Sequence, residues 1–176
     1  MKIKLKDLAG RLYKLNLLRR DFIQEATVDI ALYFGQLPIL EYVIEHDQCT
    51  QKEIADKLIV SPAAIAISTK RMQKVGLLEK KVDENNLRCN RLSVTEKGHE
   101  LSRQYRLKFD ELDKKMFSGF EEKELEQVNS YLSRLIMNIT GDAAGDVTIY
   151  SMAALEEKLE NKSRLLQKIE EEENND

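Results

Sequence analysis

The sequence predicts a mainly α-helical fold of the α+β class, and three observations support this prediction. The 176-residue chain contains only two prolines and seven glycines, and its apolar residues recur mostly at the helical spacings of three and four. Two short helix patterns lie close together between residues 51 and 75, and two alternating apolar–polar stretches follow them directly. This order predicts a winged helix-turn-helix between long N- and C-terminal helices.

The first long helix is predicted from Leu5 to about Ala26. Its apolar residues cover more than one face, and they comprise Leu5, Leu8, Leu12, Leu15, Leu17, Leu18, Phe22 and Ile23. Such a helix needs two partners, its own domain and a second surface. Another helix is predicted from Gly35 to Glu45, where Pro38 is tolerated only within the first turn.

Local signals define the helix-turn-helix. Thr50 and Glu53 have the spacing of a capping box, so a helix should start directly after the threonine. Ser61 is a favourable N-cap and Pro62 suits the first helical position, so the next helix should start there. Gly76 should end this second helix, because a left-handed residue satisfies the last carbonyl groups.

The two sides of the second helix differ in chemistry. At about 100° per residue, its core side includes Ser68 and Thr69 and is anchored by Ile65, Met72 and Val75. The outward side carries Ala63, Ala66, Ile67, Lys70 and Lys74. Small residues let a backbone approach DNA and lysines contact phosphates, but alanine and isoleucine donate no hydrogen bonds to bases. A recognition helix with weak direct readout is predicted; burial of Ile67 against a neighbouring element is the alternative.

Two alternating runs predict a β-hairpin. The first spans Leu78 to Val82, and the second ends with Leu92 and Val94. The polar loop from Asp83 to Arg88 is the predicted tip of this wing, where the arginine would reach a narrow minor groove. A solvated loop arginine is an equally good interpretation. Further helices are predicted over residues 95–117 and 121–140, and Thr95 should cap the first of them.

These stretches resemble the MarR-type transcriptional regulators. The resemblance covers Leu5 to about Thr140 and is most specific over residues 50–55, 61–72, 75–78 and 92–98, the last being close to the family's L-T-x-x-G signature. It implies long dimerisation helices at both ends of a homodimer, and two reading heads on double-stranded DNA with a pseudo-palindromic operator. The family's wing carries an Asp-x-Arg pair; Asn86 and Arg88 stand at the matching positions, so the carboxylate is missing.

The resemblance also assigns candidate sites. The predicted DNA-binding residues are Ser61, Pro62, Ala63, Ala66, Ile67, Lys70, Arg71, Lys74, Asn86 and Arg88. A small-molecule effector is implied between scaffold and winged domain. For each of the candidate lining residues a place in the packed core is the favoured alternative; they are Tyr13, Phe22, Tyr33, Phe34 and Tyr105.

The predicted domain division has four parts. Residues 1–34 form the N-terminal dimerisation helix, 35–98 the winged helix-turn-helix, 99–140 the C-terminal dimerisation helices, and 141–176 a linker and acidic tail helix. The tail has heptad spacing from Met152 to Ile169, with Lys162 at an interior position. Three heptads are marginal alone, so we expect the tail to dock on the dimer or pair with its mate; a partly free helix is the alternative.

Charge is distributed unevenly along the chain. Residues 50–98 contain ten Lys/Arg and six Asp/Glu, which gives a net charge of +4. Residues 141–176 contain four Lys/Arg and ten Asp/Glu, which gives a net charge of −6. Because phosphates respond to the local field, the overall charge of −3 is compatible with DNA binding.

Several function classes find no support in the sequence. No apolar run approaches the ~20 residues of a membrane span and no signal peptide is visible, so we expect a cytoplasmic protein with no membrane partner. His46 and His99 stand alone, which gives no metal site, and no catalytic or phosphate-loop motif predicts an enzyme or a cofactor. The two cysteines should be reduced, although Cys89 beside Arg88 is a candidate oxidant sensor.

Two functions from different classes remain. The first is a dimeric DNA-binding transcriptional regulator, a repressor whose operator affinity changes when a small molecule binds. The alternative is a protein-interaction module without sequence-specific DNA binding, which would use the apolar face of Ala63, Ala66 and Ile67. Salt dependence separates them, because only phosphate binding weakens steeply with salt.

Overall fold

The computed structural model describes residues 3–26, 34–83, 86–141 and 147–173 of the chain. Its elements are α1 Leu5–Ala26, α2 Leu37–Glu45, α3 Gln51–Leu58, α4 Pro62–Lys74, β1 Leu78–Asp83, β2 Asn86–Val94, α5 Glu96–Met116, α6 Glu122–Thr140 and α7 Ile149–Glu173, with a short 3-10 turn, Phe34–Gln36, before α2. This confirms the predicted fold class, a mainly helical chain with a winged helix-turn-helix. Among the described helices, none is both long and apolar enough to cross a membrane.

The caps of the helix-turn-helix form as predicted. The Thr50 amide donates to the Glu53 carboxylate at 2.6 Å, and the Glu53 amide donates back to the threonine hydroxyl at 3.2 Å. The Ser61 hydroxyl accepts from the Ala64 amide at 3.2 Å. Between the helices, Ile59 adopts a left-handed conformation with φ +56°. A β-branched residue rarely takes this conformation, so packing around the turn must offset the strain.

The core lies where α2, α3, α4, α5 and the hairpin meet. Its most buried side chains are Ile39, Leu40, Val43, Ile54, Ile65, Met72, Leu77, Leu92 and Tyr105. Val75, predicted to anchor this core, is 39% exposed instead. It follows the last residue of α4, and Gly76 with φ +76° then turns the chain so that Leu77 enters the core in its place.

The exit from the hairpin depends on close backbone packing. A Cβ atom at Gly98 would lie 2.4 Å from the Leu77 carbonyl oxygen and 2.6 Å from Cγ2 of Val94. Thr95 caps α5 by accepting from the Gly98 amide at 3.1 Å, while its hydroxyl donates to the Gly76 carbonyl at 2.7 Å. Here the T-x-x-G spacing of Thr95 and Gly98 therefore has a packing reason as well as a capping one.

The wing is an antiparallel ribbon whose strands run further than predicted. Pairing extends from Leu78 with Val94 to Val82 with Asn90, and after a shift Asp83 pairs with Asn86. The predicted loop over residues 83–88 was therefore too long, and both Asn86 and Arg88 belong to β2. Polar residues can continue a ribbon exposed on both faces, which loop composition does not reveal. The side chains of residues 83–89 lie outside the described part.

Helices α1 and α6 leave their apolar stripes uncovered in the single chain. On α1, which packs on α5, Ile23 is buried, but Leu5, Leu8, Leu12 and Leu15 are exposed. On α6, no residue is buried, and the exposed apolar side chains include Leu125, Leu132, Leu135, Ile136 and Ile139. Stripes of this size are typical of surfaces that another molecule covers.

The tail helix α7 packs on the winged domain of its own chain through its first turns. Its contacts are with α2 and α3, and Tyr150 is buried there, whereas Leu155, Leu159 and Leu166 further along remain exposed. The heptad pattern predicts the helix but not this docking site, which depends on a tyrosine outside the pattern.

Candidate nucleic-acid interface

The outer face of α4 has the chemistry that the sequence predicts. Ala63, Ile67, Lys70 and Lys74 are exposed and Ala66 is partly buried, while Ile65, Thr69 and Met72 on the opposite side are in the core. Ile67 is 55% exposed, which contradicts the alternative of burial against a neighbouring element. Small apolar residues therefore lie at the start of the outer face of α4, and cations lie at its end.

A shallow basic concavity lies along the second half of α4. Its volume is about 570 Å³, and it is lined by Ile67, Lys70, Arg71, Gln73 and Lys74. Three cations and no carboxylate line it, so its field favours an anion. Lysine and arginine beside a protruding helix are the groups that contact DNA phosphates.

The orientation of α4 is fixed by a contact that the sequence did not reveal. The Gln51 side-chain amide donates to the Thr69 hydroxyl at 2.7 Å, and that hydroxyl donates to the Ile65 carbonyl at 2.8 Å. Thr69 is fully buried. The position of Thr69 on the core side of an amphipathic helix could have indicated such a bond, since a buried hydroxyl needs a hydrogen-bond partner.

The remaining candidates lie at the N-terminus of α4 and on the wing. Ser61 and Pro62 form the exposed N-terminus of α4. Asn86 and Arg88 lie on β2, and nothing is described of their side chains. The structure therefore gathers the eight α4 candidates on one helix and carries the other two on the wing.

Three of the five candidates for an effector pocket have described side chains, and these lie in different surroundings. Tyr13 is 68% exposed, Phe22 is partly buried with the Lys115 ammonium 5.2 Å from its ring centre, and Tyr105 is 1% exposed in the core. Tyr33 and the side chain of Phe34 lie outside the described residues. Neither the basic concavity nor the one beside α7 described below contains any of the five.

An ionic cluster around one buried carboxylate joins α2 to α5. The Ser102 hydroxyl donates to the Glu41 carboxylate at 2.5 Å, and the Arg106 guanidinium pairs with the same carboxylate. Glu41 is 6% exposed, and the pair raises the pKa of Arg106. Sequence reasoning missed this cluster, although a single glutamate within the apolar stretch of α2 was a signal.

Other candidate chemistry finds little support among the described residues. They contain no group of three or more His, Cys, Asp or Glu suited to a metal ion. Burial raises the pKa of the Cys49 thiol to about 11, so it is protonated and unreactive at neutral pH. The side chain of Cys89 lies outside the described part, and its role as an oxidant sensor stays a hypothesis.

Comparisons with known proteins agree with this geometry. The model of the MarR family matches residues 32–88, which contain the whole helix-turn-helix and most of the wing. Over this region the chain is similar to the MarR family. A curated relative, the uncharacterized HTH-type transcriptional regulator YybA of Bacillus subtilis, is 28% identical over 114 residues, which cover 65% of this chain and 76% of YybA.

Solved structures of other proteins share the fold. YusO from Bacillus subtilis superimposes with a TM-score of 0.68 at 20% identity, over 76% of this chain and 94% of YusO. A mutant of MepR from S. aureus, solved bound to an oligodeoxyribonucleotide, gives a TM-score of 0.60 at 19% identity, over 79% of this chain and all of the other. MepR bound to ethidium bromide superimposes with a TM-score of 0.63 at 19% identity, over 78% of this chain and 98% of MepR.

Proposed function

We propose that this protein is a MarR-type, homodimeric DNA-binding transcriptional regulator that inserts α4 into the major groove. The observation that carries the proposal is the outer face of α4, where Ala63 and Ala66 precede a basic concavity lined by Ile67, Lys70, Arg71, Gln73 and Lys74. Short side chains at the start of the helix would approach the bases, and the cations would contact phosphates. The MepR structure with an oligodeoxyribonucleotide supports this use of the fold.

The second subunit would cover the exposed stripes of α1 and α6. Burying an isoleucine or leucine side chain contributes roughly 1.5–3 kcal/mol, and nine such side chains are named above. A two-fold dimer would place two α4 helices in successive major grooves about 34 Å apart and select a pseudo-palindromic operator. In this proposal residues 1–34 and 99–140 form the scaffold, 35–98 bind DNA, and 141–176 are an added tail.

We further propose that the protein is a cytoplasmic repressor whose operator affinity changes when a small molecule binds. The structure of MepR with ethidium bromide supports an effector for a protein of this fold. Tyr105 is packed in the core and Tyr13 is exposed, so the cavity would form only with the second subunit. The ligand would act by binding one spacing of the two reading heads more tightly than another.

A protein-interaction module remains a second candidate, and one observation favours it. Ala63, Ala66 and Ile67 give half of the α4 face no hydrogen-bond donor for base edges. An apolar docking face would bind with little dependence on salt, whereas a DNA-binding face would lose affinity steeply.

The test compares two variants that each remove two positive charges. Lys70→Gln with Lys74→Gln alters the concavity, and Lys114→Gln with Lys123→Gln alters exposed positions on α5 and α6. We expect the first pair to weaken binding of a fluorescent duplex on the order of tenfold and the second to have little effect. Equal affinities of the two variants would contradict the placement of DNA on α4.

A further inference from the structure

The first turns of α7 are anchored on the helix-turn-helix. Tyr150 is 8% exposed, and its hydroxyl donates to the Glu45 carboxylate at the end of α2 at 2.6 Å. Its ring meets Tyr42 edge-on with 6.0 Å between centres, and the Lys57 ammonium of α3 lies 5.3 Å from the ring centre. Ile149 and Ala153 pack partly buried against the same core.

Beyond this anchor, the acidic side of α7 runs beside α4. Glu156, Glu157 and Glu160 line a concavity of about 140 Å³ together with Ala64 and Ser68 of α4, and residues of α2 and the α3–α4 turn complete it. The tail therefore brings three carboxylates to the flank of the helix proposed to enter the major groove.

The charges of this part of α7 are separated between its sides. At about 100° per residue, Lys158 and Lys162 lie on the side opposite the three glutamates. Both lysines are exposed. The docked side of the tail is thus more acidic than the tail as a whole, and it faces the most basic module of the chain.

We propose that α7 is a built-in inhibitor of DNA binding, in which Glu156, Glu157 and Glu160 repel the DNA backbone from the flank of α4. The inference rests on the proposed function, because it concerns the regulation of that same surface. An α-helix with its side chains is about 10–12 Å wide, and charges are screened over about 8 Å at physiological salt. Carboxylates on one flank of α4 are therefore close enough to weaken its contact with phosphates.

The contact between α7 and the winged domain is small enough to open while the domain stays folded. It consists of one buried tyrosine and two partly buried apolar residues, while Met152, Leu155, Leu159 and Leu166 remain exposed. Because so little apolar surface holds α7, its departure costs far less than opening the core. The inhibited and released forms can therefore exchange without unfolding of the winged domain.

The test measures affinity of the full chain for a fluorescent duplex drawn from the gene's own upstream region. Glu156→Gln with Glu160→Gln removes two carboxylates from the flank of α4, and Glu122→Gln with Glu126→Gln removes two from exposed positions on α6. At low salt we expect binding about three- to tenfold tighter for the α7 variant and unchanged within about twofold for the α6 variant. Circular dichroism of both variants checks that the fold is kept.

A second variant tests the anchor rather than the charge. Tyr150→Phe removes the hydrogen bond to Glu45 and should also tighten binding, and in that background the two glutamine substitutions on α7 should add less than they do alone. Fully additive gains would overturn the proposal, since they would mean that the carboxylates act without the docked contact.

The outcomes separate this inference from the proposed function. If every form binds with a steep salt dependence and equal affinity, or if the α7 variant binds more weakly, the inhibitory tail is wrong and the DNA-binding function stands. If no form binds any duplex at low salt, both proposals are wrong.

Discussion

Gln51, the first residue of α3, donates a hydrogen bond of 2.7 Å to the hydroxyl of Thr69, which is fully buried in the middle of α4. The bond ties the two helices of the helix-turn-helix together at a point behind the candidate DNA-binding face. Thr69 also donates to the Ile65 carbonyl of its own helix at 2.8 Å, which orients its hydroxyl to accept from Gln51. The bond from Gln51 therefore adds a polar contact to the apolar contacts that set the rotation of α4 about its axis.

Thr69→Val keeps the shape of this side chain and removes the hydroxyl. We expect the free energy of unfolding to fall by about 1–2 kcal/mol, because a hydrogen bond between α3 and α4 is lost. DNA affinity should fall as well, since α4 is less firmly oriented. Urea denaturation and binding measurements check both effects; Ser68→Ala, one position earlier, is the control and should leave stability within about 0.5 kcal/mol.

Gly98→Ala tests the close approach at the hairpin exit. The added Cβ would meet the Leu77 carbonyl at 2.4 Å, and backbone cannot move aside as a flexible side chain can. We expect a loss of about 1–3 kcal/mol in the free energy of unfolding. Gly10→Ala in α1, where no atom lies within 4 Å of the added carbon, should instead be neutral or stabilise by up to about 1 kcal/mol. Similar effects of the two substitutions would contradict this packing.

The α3 cap should make stability depend on pH. Hydrogen bonds from the Thr50 amide, then from its hydroxyl, hold the pKa of Glu53 below its ordinary value of 4.5. A lowered folded-state pKa gives stability that is fully present above the unfolded-state value and is lost as pH falls through the folded-state value. The wild type should therefore lose more stability between pH 6 and 3 (about the range of a carboxylate titration) than Glu53→Gln, whose amide does not titrate. Parallel pH profiles of the two proteins would refute this role.

Arg88→Ala tests the wing. If the side chain enters a minor groove, operator binding should weaken by ~1–3 kcal/mol and discrimination among sequences at the outer positions should relax. Lys70→Ala should instead weaken all sequences alike, because a phosphate contact carries no sequence information. Anisotropy titrations with operator and scrambled duplexes separate the two effects. Full affinity of the Arg88→Ala variant would show that the wing arginine does not contribute to DNA binding.

The exposed stripes of α1 and α6 lead to a prediction about assembly. Leu132→Glu with Ile136→Glu should shift the protein from dimer to monomer, because charges would be buried in the proposed interface. The same change on the exposed α7 stripe, Leu155→Glu with Leu159→Glu, should leave the dimer intact. Sedimentation equilibrium measures the mass of each variant; an unchanged mass for the α6 variant would contradict the scaffold.

Local signals allowed much of the fold to be predicted from the sequence. The capping box at Thr50, the N-cap at Ser61 and the stop at Gly76 depend only on neighbouring residues, and all three form as expected. Helical periodicity likewise predicted the outer face of α4, since a helix has one period whatever packs on it.

The features that sequence reasoning missed depend on tertiary contacts. Val75 is exposed because the turn at Gly76 puts Leu77 into the core, a difference of two residues that periodicity alone does not reveal. The bond from Gln51 to Thr69, the Glu41–Arg106 pair and the docking of Tyr150 each join residues 18 or more positions apart. Their partners could not be identified before the elements were placed in space.

Sequence-specific DNA binding is tested by a salt titration of binding to a fluorescent duplex from the gene's upstream region, with a scrambled duplex as control. We expect the logarithm of the affinity to fall linearly and steeply with the logarithm of the salt concentration, with a slope of about −0.9 for each phosphate neutralised. We also expect the upstream duplex to bind more tightly than the scrambled one at every salt concentration. Binding that is absent at low salt, or that is equal for both duplexes, would contradict a sequence-specific regulator.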